Sequence, residues 1–279
     1  MLKRPLNEIE LRRQIEESDV SGTPEEMRKT FEKLTGAQHT HGVVGVTRGG
    51  VRCLKIGKGP ELIWFHGGGY VFGSPRTHLT LAREIASHGL CVVMPYYRLA
   101  PECVWPAPLQ DALAVIDASD PAAIGGDSSG GHLALCAALR RKVKSLALIS
   151  PNTDRSGQST TRNRDSDLMN DDKTDTALAE MALPGVDRFH SDKSPILGDL
   201  STLPPMILEV ASAEILLDDS LLLARQAALA GRPLTLHVAP GLFHLYQLWP
   251  DALQSGAQSL ARIAQFVLEN ASSSAKPAP

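Results

Sequence analysis

Six short apolar runs, ELIWF (61–65), LCVVM (90–94), AAIGG (122–126), KSLALIS (144–150), PMILEVA (205–211) and LTLHVA (234–239), alternate with stretches of helical spacing near 77–88, 107–118, 129–141, 217–230 and 253–270. A strand followed by a helix cannot pair with the next strand through a tight hairpin. It needs a crossover, and repeated crossovers build a parallel sheet. Strands without polar alternation belong to a sheet covered on both faces. The predicted fold is therefore α/β, with a doubly wound, mostly parallel sheet. Ahead of these units, GVVGVTRGGVRCLKI (42–56) carries β-branched residues interrupted by Gly49-Gly50, which predicts a hairpin at the sheet edge.

The rest of the chain divides around this core. Residues 1–40 are polar and helical in pattern: ELRRQIEE, then PEEMRKTFEKL behind a Ser21/Thr23-Pro24 start signal. They form an expected N-terminal helical segment, followed by core residues 41–150. Residues 151–204 break the rhythm, being rich in Asp, Ser, Thr and Asn, with weak helical character only in stretches such as TDTALAEMAL (174–183). An insertion of this length after a core strand is either a lid or specificity region or a mobile surface loop, and the sequence leaves both open. Core character returns over 205–270, and 271–279 reads as a disordered tail.

Composition narrows the function classes. A net charge of −3 offers no basic surface for nucleic acid or anionic membrane. No apolar run approaches the ~18 residues of a membrane span, and the N-terminus lacks the apolar stretch of a secretion signal. The four cysteines, Cys53, Cys91, Cys103 and Cys136, have neither CxxC nor metal-type spacing, and Cys91 and Cys136 sit in apolar runs as small buried hydrophobes. A reduced cytoplasmic protein without metal or organic cofactor is expected.

Two glycine-rich motifs carry chemistry. Gly126-Asp127-Ser128-Ser129-Gly130 lies after a short strand and before a helix, the setting in which G-x-S-x-G forms a nucleophile elbow. Its glycines free the turn of β-carbons, and Ser128 is left at a helix N-terminus that favours developing negative charge. His66-Gly67-Gly68-Gly69 directly follows ELIWF and fits an oxyanion loop, whose N–H donors would act together with the N–H of Ser129.

HGGGY (66–70), YRLAPE (97–102), GDSSGG (126–131) and LPPMILEVASAEILLDDS (203–220) together resemble the hormone-sensitive-lipase-like esterases, over nearly the whole chain from about residue 24 to 270. The resemblance implies an α/β-hydrolase core with a small helical cap, and an oxyanion hole from Gly68, Gly69 and Ser129. Such a site needs a base and an orienting acid, in the chain order Ser, acid, His. Of the downstream histidines, His132 is on the elbow helix, His190 in the insertion and His237 inside a strand. His244, in the loop after LTLHVA and in the family's G-x-x-H context, is the candidate base. Glu214, Asp218 and Asp219 are the candidate acids. Glu214 stands where the family usually has Asp, and Asp218 and Asp219 suit the first turn of the following helix. Arg98 and Glu102 are expected to buttress loops near the oxyanion turn, and Asp127 to anchor a loop.

The expected activity is hydrolysis of small, short-chain carboxylic esters, with a lactone or N-acetyl hydrolase on the same scaffold as the neighbouring alternative. The other class of function is a non-catalytic receptor, since plant gibberellin receptors resemble this family but have lost the catalytic histidine; the presence of His244 speaks against it. An interfacial lipase would favour an apolar lid, whereas 151–175 are polar. Tyr70, Phe72, Phe243 and Tyr246 flank the site and are candidate pocket residues. The partner expected is a small ester or lactone, and the edge strand LTLHVA leaves a homodimer and a monomer both open.

Overall fold

The computed structural model describes residue 5, residues 7–36 and residues 41–273. Its strands are β1 (Val43–Arg48), β2 (Val51–Gly57), β3 (Glu61–Phe65), β4 (Cys91–Pro95), β5 (Ala123–Asp127), β6 (Leu146–Ile149), β7 (Met206–Ala211) and β8 (Leu234–Ala239). They form one sheet in the order β1-β2-β4-β3-β5-β6-β7-β8. β2 runs antiparallel to both β1 and β4, and every pairing from β4 to β8 is parallel. The expected edge hairpin is present: Arg48 pairs with Val51 across Gly49-Gly50, whose φ angles of 55° and 81° give the two-residue turn that suits twisted strands.

The helices are α1 (Glu8–Glu16), α2 (Pro24–Thr35), α3 (Leu79–Ser87), α4 (Ala107–Asp117), α5 (Ser129–Ala138), α6 (Asp172–Ala182), α7 (Leu217–Leu229) and α8 (Gln254–Ser273). α2 begins as its sequence dictates: Thr23 caps it, Glu26 closes the capping box, and Pro24 fills the first turn. α8 continues three residues into the expected tail, and 274–279 lie outside the described residues. No helix among the described residues is long and apolar enough to cross a membrane.

Strand pleating divides the interior in two. Leu62 and Trp64 of β3 point toward Leu81 and Ile85 of α3 and Leu260 and Ile263 of α8. Ile63 and Phe65 point the other way, toward Leu109 of α4 and Leu133 of α5. Each buried side chain of this size contributes about 1.5–3 kcal/mol relative to exposure. After β3 the chain crosses to β4 on one side, then returns to form β5 on the other. The carboxyl ends of β3 and β5 therefore flank a topological switch point, where open α/β sheets place ligands. Both glycine motifs emerge there.

The polar insertion is tied to this core by a buried ionic cluster. Arg162, with 13% of its side chain exposed, donates from Nη1 to Asp175 at 2.7 Å and from Nη2 to Asp219 at 2.8 Å. Arg155 also pairs with Asp175, and Asn152 donates to the same carboxylate. Asp219 additionally accepts the backbone N–H groups of Thr153 and Asp154. It does lie in the first turn of α7, as expected, but its bonds run to the insertion. Removing one partner of such a cluster strands buried charge. Arg162→Ala is expected to cost about 3–5 kcal/mol in urea unfolding, and a loss within about 0.5 kcal/mol, the range of ordinary surface substitutions, would show the cluster to be dispensable.

Candidate active site

Ser128 joins β5 to α5 with φ 52° and ψ −120°, a strained conformation for a residue with a β-carbon. The surroundings enforce it. Its N–H donates to Ile149, and its carbonyl accepts from both His132 and Asn152. A β-carbon on Gly130 would lie 2.0 Å from the Phe65 carbonyl oxygen, and one on Gly126 2.4 Å from that of Gly130. These contacts explain the motif's glycines: the helix start is pressed directly against β3.

Asp127, fully buried, fixes the elbow to the HGGG loop. Its Oδ1 accepts from Trp64 Nε1 at 2.8 Å, and its Oδ2 accepts from Gly67 N at 2.9 Å and pairs with His78 Nε2 at 2.9 Å. Burial alone would raise its pKa; the histidine and tryptophan donors more than offset this and keep it below the ordinary aspartate value. Burial and neighbouring His78 hold His66 down to about 3, so His66 is neutral and stacks on Tyr97 at 4.3 Å.

The loop's own glycines serve close approach. Gly68 (φ 116°) and Gly69 (φ 60°) have no room for side chains: a β-carbon would meet the Phe72 carbonyl at 2.2 Å in the first case and Leu178 of α6 at 2.6 Å in the second. No acceptor among the described residues takes the N–H groups of Gly68, Gly69 or Ser129. The hydroxyl of Ser129 has a distinct place, accepting from Tyr70 N at 3.3 Å and so linking the loop to the start of α5. Glu102 buttresses the loop through Arg28 of α2, which donates to the carbonyls of Val71 and Ala100. Arg98 differs from expectation: it binds Asp111 of α4 and makes no bond to the loop.

His244 and Glu214 face one another, with His244 Nδ1 3.6 Å from Glu214 Oε1. Neither atom has another hydrogen-bond partner among the described residues. The second carboxylate oxygen of Glu214 is held by Ser150 Oγ at 2.8 Å and Ala211 N at 3.2 Å, which aims the first at the imidazole. Burial disfavours the imidazolium, but Glu214, aided by Asp167 and Asp175, raises the His244 pKa above its ordinary 6.5. Asp218, the remaining candidate acid, accepts from Thr160 in the insertion instead.

Ser128, Gly68, Gly69 and His244 line one cleft with an empty volume of about 460 Å³. Its apolar walls come from Val20 and Phe31 at the N-terminal segment, Phe72, Met169 and Leu178 of the insertion, and Leu245; Asn170 and Asp175 are its polar members. Among the four candidate pocket residues, only Phe72 lines it. Tyr70 is buried with its hydroxyl on His132 Nδ1 at 2.5 Å, and Phe243 packs between Arg12 and Trp249. Tyr246 lies wholly inside the core. The chain is left-handed at Tyr70 (φ 64°) and at Leu245 (φ 57°), and Leu245 rather than its aromatic neighbours Phe243 and Tyr246 lines the cleft. Sequence reading missed Ser150, Asp167 and the cap residues, none of which belongs to a local motif. Among the described residues no group of His, Cys, Asp and Glu could hold a metal ion.

This elbow, oxyanion-type loop and sheet order define the alpha/beta hydrolase fold, whose family profile matches residues 62–248. The chain belongs to that family, on its hormone-sensitive-lipase-like branch. It is 33% identical over 225 residues to an acetyl-hydrolase of Streptomyces hygroscopicus, covering 75% of each chain. It is 31% identical over 228 residues to the carboxylesterase NlhH of Mycobacterium tuberculosis, covering 73% of this chain and 71% of that one. Among solved structures, an esterase from the bacterial hormone-sensitive lipase family superposes with a TM-score of 0.88 at 28% identity, covering 97% of this chain and 100% of that one.

A base must be neutral to accept the serine proton, so with His244 as the candidate base its raised pKa is expected to put the acidic limb of the kcat/KM profile above the ordinary histidine value. Activity is lost as pH falls through that value. Glu214→Gln removes the main group raising it. The limb should move to lower pH and kcat should drop by on the order of 10³- to 10⁴-fold. A limb unmoved in Glu214→Gln would argue that Glu214 is not the orienting acid.

Proposed function

We propose that the protein is a serine carboxylesterase acting on small, short-chain esters through an acyl-enzyme intermediate, with Ser128, His244 and Glu214 as its triad. The observation that carries this reading is the strained serine in an apolar cleft, flanked on one side by Gly68 and Gly69 and on the other by a histidine that faces a buried glutamate.

In this mechanism His244 Nε2 takes the Ser128 proton while Ser128 Oγ attacks the acyl carbon. Glu214 keeps the Nδ1–H in place and stabilises the imidazolium. The N–H groups of Gly68, Gly69 and Ser129 hold the carbonyl oxygen as it becomes an oxyanion, and losing one donor from such a set costs about 2.7–4 kcal/mol of barrier. His244 then protonates the departing alkoxide, and the C–O bond breaks. Water enters, loses a proton to His244 and attacks the acyl-serine; the acid leaves and Ser128 recovers its proton.

Cleft size supports a short acyl group. The space of about 460 Å³ includes its open mouth, and Phe31, Phe72 and Leu178 limit its walls. The named acetyl-hydrolase and carboxylesterase relatives point the same way.

The test is a p-nitrophenyl ester series from acetate to decanoate, with Ser128→Ala and His244→Ala beside wild type. Turnover should peak at the acetate-to-butyrate end, and each substitution should lower kcat by at least about 10⁴-fold. Folded wild type without turnover, or activity surviving both substitutions, would remove this assignment.

A further inference from the structure

We propose that Asp167 is a positioning residue that holds the acid loop and the base loop of the candidate site in register, an inference that rests on the triad assigned above. Asp167 belongs to a strap of the insertion, residues 161–169, laid along the loop that carries Glu214. Three side chains of the strap donate to carbonyls of that loop: Thr161 Oγ1 to Ile215 at 2.7 Å, Arg164 Nη1 to Ser212 at 2.9 Å and Ser166 Oγ to Ala213 at 2.9 Å. Asp167 works in the opposite sense and reaches further. Its Oδ2 accepts from Ile215 N, one residue past the acid, at 3.1 Å, and its Oδ1 accepts from His244 N, the base itself, at 3.3 Å. The same Oδ1 accepts from Met169 N at 3.1 Å, which closes the strap's own turn. The two loops also meet directly, Ala213 N donating to the Leu242 carbonyl at 3.1 Å and Gly241 N to Ser212 Oγ at 2.8 Å, and Asp167 adds a tie from the insertion that reaches the backbone of both.

The choice of a carboxylate here runs against stability. Burial, together with repulsion from Glu214, makes Asp167 harder to ionise than a free aspartate, while His244 opposes that trend. Glu16, Asp19 and Asp171 line a second, neighbouring cleft together with Asp167 and add no positive charge. A turn alone would be served by Asn or Ser. What the charge adds is a further anion near the imidazole, alongside Glu214 and Asp175, so that the imidazolium formed during serine attack is stabilised as well as aimed.

The experiment measures kcat, KM and the pH profile on p-nitrophenyl butyrate for wild type, Asp167→Asn, Asp167→Glu, Ser166→Ala and Ser128→Ala, with thermal midpoints recorded for each. Ser166→Ala breaks a strap bond to the acid loop without touching His244. Asp167→Asn is expected to lower kcat roughly 10- to 100-fold, with KM within about twofold, and to move the acidic limb to lower pH as His244 loses one of the anions that raise its pKa. Asp167→Glu should restore the position of the limb, and Ser166→Ala should leave it unmoved. An unmoved limb in Asp167→Asn, with kcat no lower than in Ser166→Ala, would overturn the proposal while the triad stands. Should Asp167→Asn fail to fold, Asp167→Ser, which keeps an oxygen acceptor without charge, is judged by the same limb. Activity surviving in Ser128→Ala would overturn the triad, and this proposal with it.

Discussion

The buried carboxylate of Asp127 is the point on which the geometry of the site depends. It ends β5 immediately before the strained serine, and it accepts from a β3 tryptophan, from the first glycine of the HGGG loop and from a buried histidine. A charged group with no solvent contact is costly unless every oxygen is satisfied. Here satisfaction is possible only if β3, its following loop and β5 are in one arrangement. The carboxylate thus converts the two ends of a sheet into a single rigid unit, with the oxyanion-type loop and the elbow at a fixed separation.

Around that unit the chain spends its polar residues on closure from above. Arg28 of α2 reaches the carbonyls of the oxyanion-type loop, while Arg155 and Arg162 gather Asp175 and Asp219 beneath the insertion. One cap piece is the N-terminal segment and the other the mid-chain insertion, and both line the cleft at Ser128, through Phe31, Met169 and Leu178. Their inner surfaces are mostly apolar where they face the cleft, and Asp175, which lines it, also belongs to the ionic cluster that ties the insertion to the core.

What could be read in advance follows the range of the underlying interaction. The sheet and its order class were legible because crossover geometry depends on short, contiguous apolar runs, and β3 to β8 arise close to where those runs lie. The elbow and the HGGG loop were legible because glycine marks a backbone that cannot carry a β-carbon, as Gly130 does against Phe65. Ser150, Asp167 and Arg162 were not, because they act across 64, 77 and 57 residues of sequence on partners that no local pattern announces. The aromatic pocket was misjudged for a third reason. Nearness in sequence to His244 says nothing about direction, and Phe243 and Tyr246, on either side of it, both pack into the core.

The strap over the acid loop has one more consequence. Its side chains at 161, 164 and 166 hold main-chain atoms, so the residues at 212, 213 and 215 can drift in identity without loosening the grip. The strap's grip therefore depends on its own side chains and on the backbone path beneath it, not on the side chains at 212, 213 and 215. A cap transplanted from a relative to alter substrate choice would carry its own fastenings with it. The recipient's acid loop would accept them as long as its backbone path, rather than its sequence, is kept.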